Sequence, residues 1–384
     1  MAVVERYENG KRKDQFDYLK SCVKPTPLVR LEIDIPNNNK IFAKLEGDCN
    51  YNPNGTHYDR AYPRLLEDAE INGIPTPAGK WIPPISPKTT HIVEVTTGNA
   101  SISAAWVASA MGYDITIIVP ENLPRNRLRY TEKYGARIIE VERKNYVAGA
   151  VEKLTEMLTI IKQDEKGRRY RSLNHSFNPI TTEQLSNIMH EAWEQSGQNI
   201  DCFVSTAGNG ASTLGTSKVL KKYNPGAEIV CWDQFRSGLA YDKHYPGKYQ
   251  EEFGIEPGQL FNILPQPKDK SRELLGNFGP GTRTPFLDQT YAEGLVAETL
   301  LVIDDEMLDV YSGLIKDREE ASQKVAKAEA LVRWDGPKKL LEDSGYHVGN
   351  TSIGSTAVAL ELAKKVEDKS FMLIFYDMRD KYTD

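Results

Sequence analysis

The stretch "CFVSTAGNGASTLGTSKVLKK", Cys202–Lys222, decides the fold. An apolar run leads into a turn of small residues and then a helical pattern, which is the strand-turn-helix unit of an α/β sheet. Working outward, the same rhythm recurs. "KIFAKLE", "HIVEVTT", "ITIIVP", "RIIEVE", "EIVCWD" and "FMLIFYD" read as strands, and Ile102–Met111 and Arg125–Tyr134 as helices. Several of these strands are apolar at consecutive positions, as strands buried on both faces of a parallel sheet must be. The expectation is a doubly wound α/β protein whose ligands bind at the carboxyl ends of the strands.

At 384 residues the chain exceeds what one hydrophobic core usually serves, so two lobes with a cleft between them are expected. Its net charge is -6, and its dense basic run "KGRRYR" (Lys166–Arg171) is flanked by Asp164 and Glu165, a solvated loop and not a nucleic-acid surface. Cys22, Cys49, Cys202 and Cys231 are scattered without a CxxC pair, which argues against a zinc site or disulfide frame and for a cytoplasmic setting. No segment approaches the roughly 20 apolar residues needed to span a bilayer, and none reads as a signal core. Gly73–His91, rich in proline, and the charged stretch Asp304–Asp343, read as helical, are embellishments of the α/β rhythm.

Three turns would each set backbone N–H groups at a helix start. In "EVTTGNAS" the amides around Thr97, Gly98, Asn99 and Ala100 suit a carboxylate, with ordinary capping by Asn99 or Ser101 as the alternative. In "STAGNGASTLG" the small residues Gly208, Asn209, Gly210, Ala211 and Ser212 let the backbone approach a phosphate. That turn lacks the lysine of a Walker A loop and the GxGxxG spacing, so ATPase and dinucleotide readings are poor. In "HVGNTSIGSTAVALELAKK", Thr351 or Ser352 offers a hydroxyl to a ring nitrogen, or caps the helix.

Together these segments resemble the fold-type II pyridoxal phosphate enzymes, the cysteine synthase and tryptophan synthase β-like family. The likeness runs from Thr26 to Tyr382 and rests on order: "TPLVRL", "AKLEGDCNYNPNGTHYDR", "TTGNAS", "GNGASTLG" and the closing "DMRDKY". It implies a two-lobed, three-layer αβα fold with mostly parallel twisted sheets. A large cofactor domain would span 1–50 and 136–384, and a smaller mobile domain 51–135. It implies pyridoxal 5'-phosphate held at Gly208–Ser212, with Asn99 facing its phenolic oxygen and Ser352, less readily Thr351, by its ring nitrogen. Thr97, Gly98, Asn99 and Ala100 would hold the carboxylate of an amino-acid substrate, and the protein would be a homodimer. A neutral hydroxyl at the ring nitrogen favours β-elimination and β-replacement.

The resemblance also exposes a departure. Where the family carries the lysine that binds the cofactor covalently and shuttles the α-proton, this chain has Tyr58, and a phenol cannot form an imine. With a reference pKa of about 10 it can still move a proton if the pocket lowers that value. His57 is a second candidate base, although adjacent residues point different ways. Lys44 is not expected to substitute, because family members commonly carry a lysine there as well. Asp59 and Arg60 match the family and suggest a solvent or interlobe ion pair. Tyr58 is then a packing aromatic in a disused site, an engineered trap, or part of a natural lysine-free enzyme; alanine would make the simpler trap, which favours the natural variant. The expected function is β-chemistry on an amino acid, with the cofactor non-covalent and no metal. The alternatives are a catalytically silent binding protein that keeps the pocket and an enzyme using another phosphorylated ligand.

Overall fold

The computed structural model describes residues 11–96, 98–121, 123–142, 147–159, 162–260 and 284–382. In chain order the strands are β1 (Leu28–Arg30), β2 (Lys40–Lys44), β3 (Ile74–Pro75), β4 (Trp81–Ile82) and β5 (Thr90–Val95). They continue as β6 (Ile115–Pro120), β7 (Arg137–Val141), β8 (Arg169–Arg171), β9 (Cys202–Thr206) and β10 (Glu228–Gln234). Last come β11 (Glu298–Ile303), β12 (Leu331–Arg333) and β13 (Ser370–Ile374). Among the described residues they form a seven-stranded sheet, order β1-β2-β13-β9-β10-β11-β12, a four-stranded sheet, order β7-β6-β5-β8, and the hairpin β3-β4. Apart from β1 on β2 and the hairpin, every pairing is parallel.

Side-chain alternation along each strand builds three layers. In the large sheet Cys202, Val204, Val230 and Trp232 face one core, which is covered by the helices Asp305–Ile315, Asp335–Asp343 and Asn350–Ala363. Phe203, Ile229, Met372 and Ile374 face the opposite core, under Pro179–Gln195 and Ala211–Tyr223. The small sheet repeats the plan: Ile92, Ile115, Ile117 and Val119 pack under Tyr62–Ile71, Asn99–Ala110 and Arg125–Glu132. Val93 and Ile118 pack under Val147–Met157. A strand apolar on both faces is the sequence consequence of this double cover, which is why these strands were legible.

The strand orders fix where a ligand can sit. From β9 the chain steps outward to β10, β11 and β12 and then returns to β13 on the other side of β9. From β5 it steps to β6 and β7 and returns to β8 on the other side of β5. Each reversal opens a crevice at the carboxyl end of the central strand. The turn after β9 is Ala207–Gly210, and the turn after β5 leads to the helix at Asn99. Two independently read motifs therefore stand at the two switch points.

The charged stretch Asp304–Asp343 departs from the helical expectation. It holds three helices and the short edge strand β12, which pairs parallel to β11. Because β7 and β8 belong to the smaller sheet, we propose that the lobe division follows the sheets, so that the smaller lobe reaches about residue 171 and not 135.

Candidate active site

The turn that carries Tyr58 is built by local hydrogen bonds. Thr56 caps the short 3-10 helix His57–Arg60, its hydroxyl accepting from the Tyr58 amide at 3.3 Å. Asp59 is buried. It accepts from the Asn54 amide (2.7 Å), the Asn54 side chain (2.8 Å) and Ser103 Oγ (2.7 Å). From the closing segment, buried Lys381 donates to the Asn54 and Gly55 carbonyls at 2.8 and 2.5 Å. Tyr58 is thus presented by a turn held from both lobes.

Its phenol reaches the turn after β9: Asn209 Nδ2 donates to Tyr58 Oη at 2.9 Å and to Ser176 Oγ at 3.3 Å. The Tyr58 ring lies edge-on to His175, centroids 5.5 Å apart, and 4.2 Å from His57. Burial pushes its pKa up, only partly opposed by the Asn209 hydrogen bond, so at neutral pH the phenol is protonated. His57 is buried with Nδ1 lacking a partner, and burial lowers its pKa to about 3, which leaves the ring neutral and a weak base.

The neighbours of Tyr58 do not behave as a solvent ion pair. Arg60 is buried and bonds Glu46 (2.8 and 2.9 Å), Glu191 (2.6 and 2.8 Å) and Thr26 (3.2 Å), while Asp59 binds elsewhere. Burial alone would raise Glu46, but the charge and hydrogen bonds of Arg60 outweigh it and hold the carboxyl down to about 2. Lys44 belongs to the same network: Nζ bonds Glu191 (2.7 Å), Gln195 (3.1 Å) and the Thr26 carbonyl. That amine is committed to structure.

The turn after β9 has the small-residue geometry expected of it. Gly210 has φ +83°, and a Cβ there would lie 2.2 Å from the Leu287 amide nitrogen, so glycine is required. The helix Ala211–Tyr223 starts directly after it. One amide of the turn is occupied by its own side chain: Asn209 Oδ1 accepts from Ala211 N at 3.0 Å. Gly208 N donates to the Thr206 carbonyl at 3.0 Å.

At the end of β5, the helix Asn99–Ala110 begins at Gly98 without a side-chain cap, so neither Asn99 nor Ser101 serves as one. Asn99 Oδ1 is buried without a hydrogen-bond partner, and Ala100 is buried. A Cβ at Gly98 would lie 3.1 Å from Arg127 Nη1, which places a guanidinium against this turn. Thr97 lies outside the described residues. The third helix follows Gly349, again with no side-chain cap. Ser352 and Thr351 are both buried, and Ser352 Oγ accepts from the Tyr376 amide at 3.1 Å, which leaves its own proton for another acceptor.

Sequence reasoning missed the loop before Pro179–Gln195. Glu94 of β5 is buried and accepts from Leu173 N (2.6 Å), Ser172 Oγ (3.2 Å) and His175 Nδ1 (3.1 Å). A carboxylate inside the apolar run "HIVEV" was the available signal, because a buried charge demands partners. His91, Asp114 and Asp164 also converge, but Arg168 and Lys166 neutralise the two carboxylates and both His91 nitrogens are engaged.

The fold is that of fold-type II enzymes: mostly parallel sheets in two lobes, here with small-residue turns at both switch points. The family model described as "Pyridoxal-phosphate dependent enzyme" matches residues 19–377, and the chain belongs to that family. Its cofactor is pyridoxal 5'-phosphate. Among relatives, cysteine synthase B of Pseudomonas aeruginosa is 25% identical over 372 residues, 96% of each chain. The O-acetylserine dependent cystathionine beta-synthase of Bacillus subtilis is 32% identical over 270 residues, 66% of this chain and 82% of the relative. A hydrogen sulfide-producing enzyme from Fusobacterium nucleatum superposes with TM-score 0.67 at 18% identity, covering 95% of this chain and 98% of the other. An O-acetylserine dependent cystathionine beta-synthase from Helicobacter pylori gives 0.66 at 21%, covering 95% and 96%.

The side chains present fit such a cofactor: a turn where only glycine has room, a buried Asn99 oxygen without a partner and a Ser352 hydroxyl with a proton to give. No helix of the described residues is long and apolar enough to cross a membrane.

Proposed function

We propose that this chain is a cysteine synthase-like enzyme that holds pyridoxal 5'-phosphate without a covalent bond and acts at Cβ of an activated amino acid, by elimination or replacement. Tyr58 stands where relatives carry their lysine. The observation that supports the reading is the 2.9 Å contact from Asn209 to Tyr58 Oη, which brings Tyr58 against the turn that this reading assigns to phosphate. In this reading the backbone from Gly208 to Ser212 holds the phosphate, and the Asn209 oxygen swings off the Ala211 amide to admit it. Asn99 with its neighbours Thr97, Gly98 and Ala100 takes the substrate carboxylate, and Ser352, or Thr351, meets the ring nitrogen. When bound, the cofactor supplies an electron sink for the pair left at Cα. The Tyr58 phenol, protonated and accepting from Asn209, has its own proton to offer inside the cleft. The family analogy adds a homodimer, to be checked by light scattering.

A second reading rests on the same turn. With Asn209 Oδ1 on the Ala211 amide and Tyr58 Oη on Asn209 Nδ2, the cleft is closed by its own side chains, as a silent binding protein or one adapted to another phosphorylated ligand would have it. Titration with pyridoxal 5'-phosphate, then with O-acetyl-L-serine and sulfide, separates the two. Saturable cofactor binding with acetate release supports the enzyme, whereas no binding, or binding that no amino acid perturbs, supports the silent pocket.

A further inference from the structure

A reaction at Cβ that starts by removing the α-proton needs a base, and among the described residues the two buried lysines of this region are committed. Lys44 is bonded to Glu191, Gln195 and the Thr26 carbonyl, and Lys381 to the Asn54 and Gly55 carbonyls. Tyr58 is a protonated phenol, and so is Tyr62, whose buried hydroxyl has no partner. His57 is enclosed and weakly basic. His175 remains.

Resting on the function proposed above, we propose that His175, oriented by Glu94, is the base that takes the α-proton of the substrate. The Glu94 carboxylate is itself fixed, Oε1 by Leu173 N and Ser172 Oγ, so Oε2 has a set direction toward His175 Nδ1 at 3.1 Å. A carboxylate accepts, so in the neutral ring Nδ1 carries the proton and Nε2 presents its lone pair. Among the described residues the bond to Glu94 is the hydrogen bond His175 makes, and Nε2 is not among the buried atoms left without a partner. A histidine held by a buried carboxylate has the base-and-orienter logic that recurs on unrelated folds.

Position supports the role. The His175 ring stands edge-on to Tyr58 at 5.5 Å and lies 5.9 Å from Tyr62. The next residue, Ser176, touches Asn209 of the turn after β9. Glu94 lies on β5, the strand that ends at the Asn99 turn. The base therefore sits between the segments assigned to phosphate and to carboxylate. In the step, His175 Nε2 takes the proton from Cα, the C–H electron pair becomes the Cα–Cβ π bond, and the Cβ–O bond breaks with its pair leaving on the departing carboxylate of an O-acylated serine. Glu94 then faces an imidazolium.

Two readouts test this. In cofactor-free protein, nitrogen-15 NMR of histidine should show the neutral His175 ring carrying its proton at Nδ1 and not at Nε2, with Glu94→Gln abolishing that preference. The groups that face the ring are Glu94 from β5, His57 and Tyr58 from their turn and Tyr62 from the helix Tyr62–Ile71. With pyridoxal 5'-phosphate and L-alanine in deuterated water, which reports the proton step without a leaving group, wild type should exchange its Cα hydrogen. His175→Gln should slow that exchange by about 100-fold or more with cofactor affinity unchanged, and imidazole should restore it in His175→Ala. Equal exchange by His175→Gln, or an Nε2–H tautomer in wild type, overturns the base while leaving cofactor binding in place. A wild type that binds no cofactor overturns the functional reading and the base with it.

Discussion

Placing an amine at position 58, where the proposed reading puts the family's lysine, is the perturbation with the widest consequences. Tyr58→Lys removes the hydrogen bond to Asn209, a net loss of about 1 kcal/mol. It also removes edge contacts with His175 and Tyr62, together about 1–3 kcal/mol. The cofactor-free variant should therefore be less stable than wild type by roughly 3 kcal/mol. Asp59, the next residue, is already occupied by Asn54 and Ser103, and Glu94 by Leu173, Ser172 and His175, so neither is free to hold the new ammonium charged. Its pKa should fall, by up to about 3–5 units for a fully buried amine, which leaves a nucleophilic free base. Pyridoxal 5'-phosphate at about 100 times its Kd returns roughly 2.7 kcal/mol, nearly offsetting the loss. Urea unfolding with and without the cofactor, read beside the visible spectrum, should show a destabilised variant that turns yellow and recovers. A variant that folds as stably as wild type without cofactor would mean that Tyr58 makes no useful contacts. One that never turns yellow would mean that the cleft has diverged to another ligand.

Asn209→Ala removes contacts to Tyr58, Ser176 and the Ala211 amide, and should cost about 1–3 kcal/mol in urea melts. Calorimetry should find inorganic phosphate binding tighter than in wild type, because the amide is freed; weaker binding would show that the Asn209 side chain is itself a ligand. Gly210→Ala puts a Cβ into the Leu287 backbone at a positive φ and should destabilise by about 3 kcal/mol or lose soluble protein altogether. Arg60→Met leaves Glu46 without its cation and should cost about 3–5 kcal/mol. The acid limb gives a second check. Glu46 falls from an ordinary 4.5 to about 2 on folding, so the unfolded chain binds the extra proton between those values. Its contribution, about 3 kcal/mol, is present above pH 4.5 and lost as pH falls toward 2. In Arg60→Met that part of the pH-stability curve should flatten, and a curve as steep as wild type would remove Arg60 from the network.

The large strands were readable because a strand covered by helices on both faces must be apolar at successive positions, as "CFVST" and "ITIIVP" are. β8 and β12 were not, since each spans three residues beside charged neighbours and exists through its partner strand. β11, "ETLLVI", is apolar enough to have been read and was overlooked. What is local in sequence was visible: a turn of small residues ahead of each of the helices Asn99–Ala110 and Ala211–Tyr223. Pairs made by tertiary folding were invisible. Arg60 meets Glu191 131 residues downstream, so of the expected solvent or interlobe ion pair the solvent alternative fails and a buried network stands in its place. His175 meets Glu94 across 81 residues, and nothing near either one in the chain announces the other.

Borohydride reduction followed by peptide mass mapping bears most directly on a lysine-free pocket for pyridoxal 5'-phosphate. Wild type would be loaded with the cofactor, cleared of excess, reduced and digested. We expect the folded protein to retain the cofactor, to release it intact on denaturation, and to carry no added mass on Lys44, Lys381 or any other residue. A cofactor mass on Lys44 or Lys381 would restore a covalent mechanism through another amine, and a protein that retains no cofactor would leave the cleft to a different ligand.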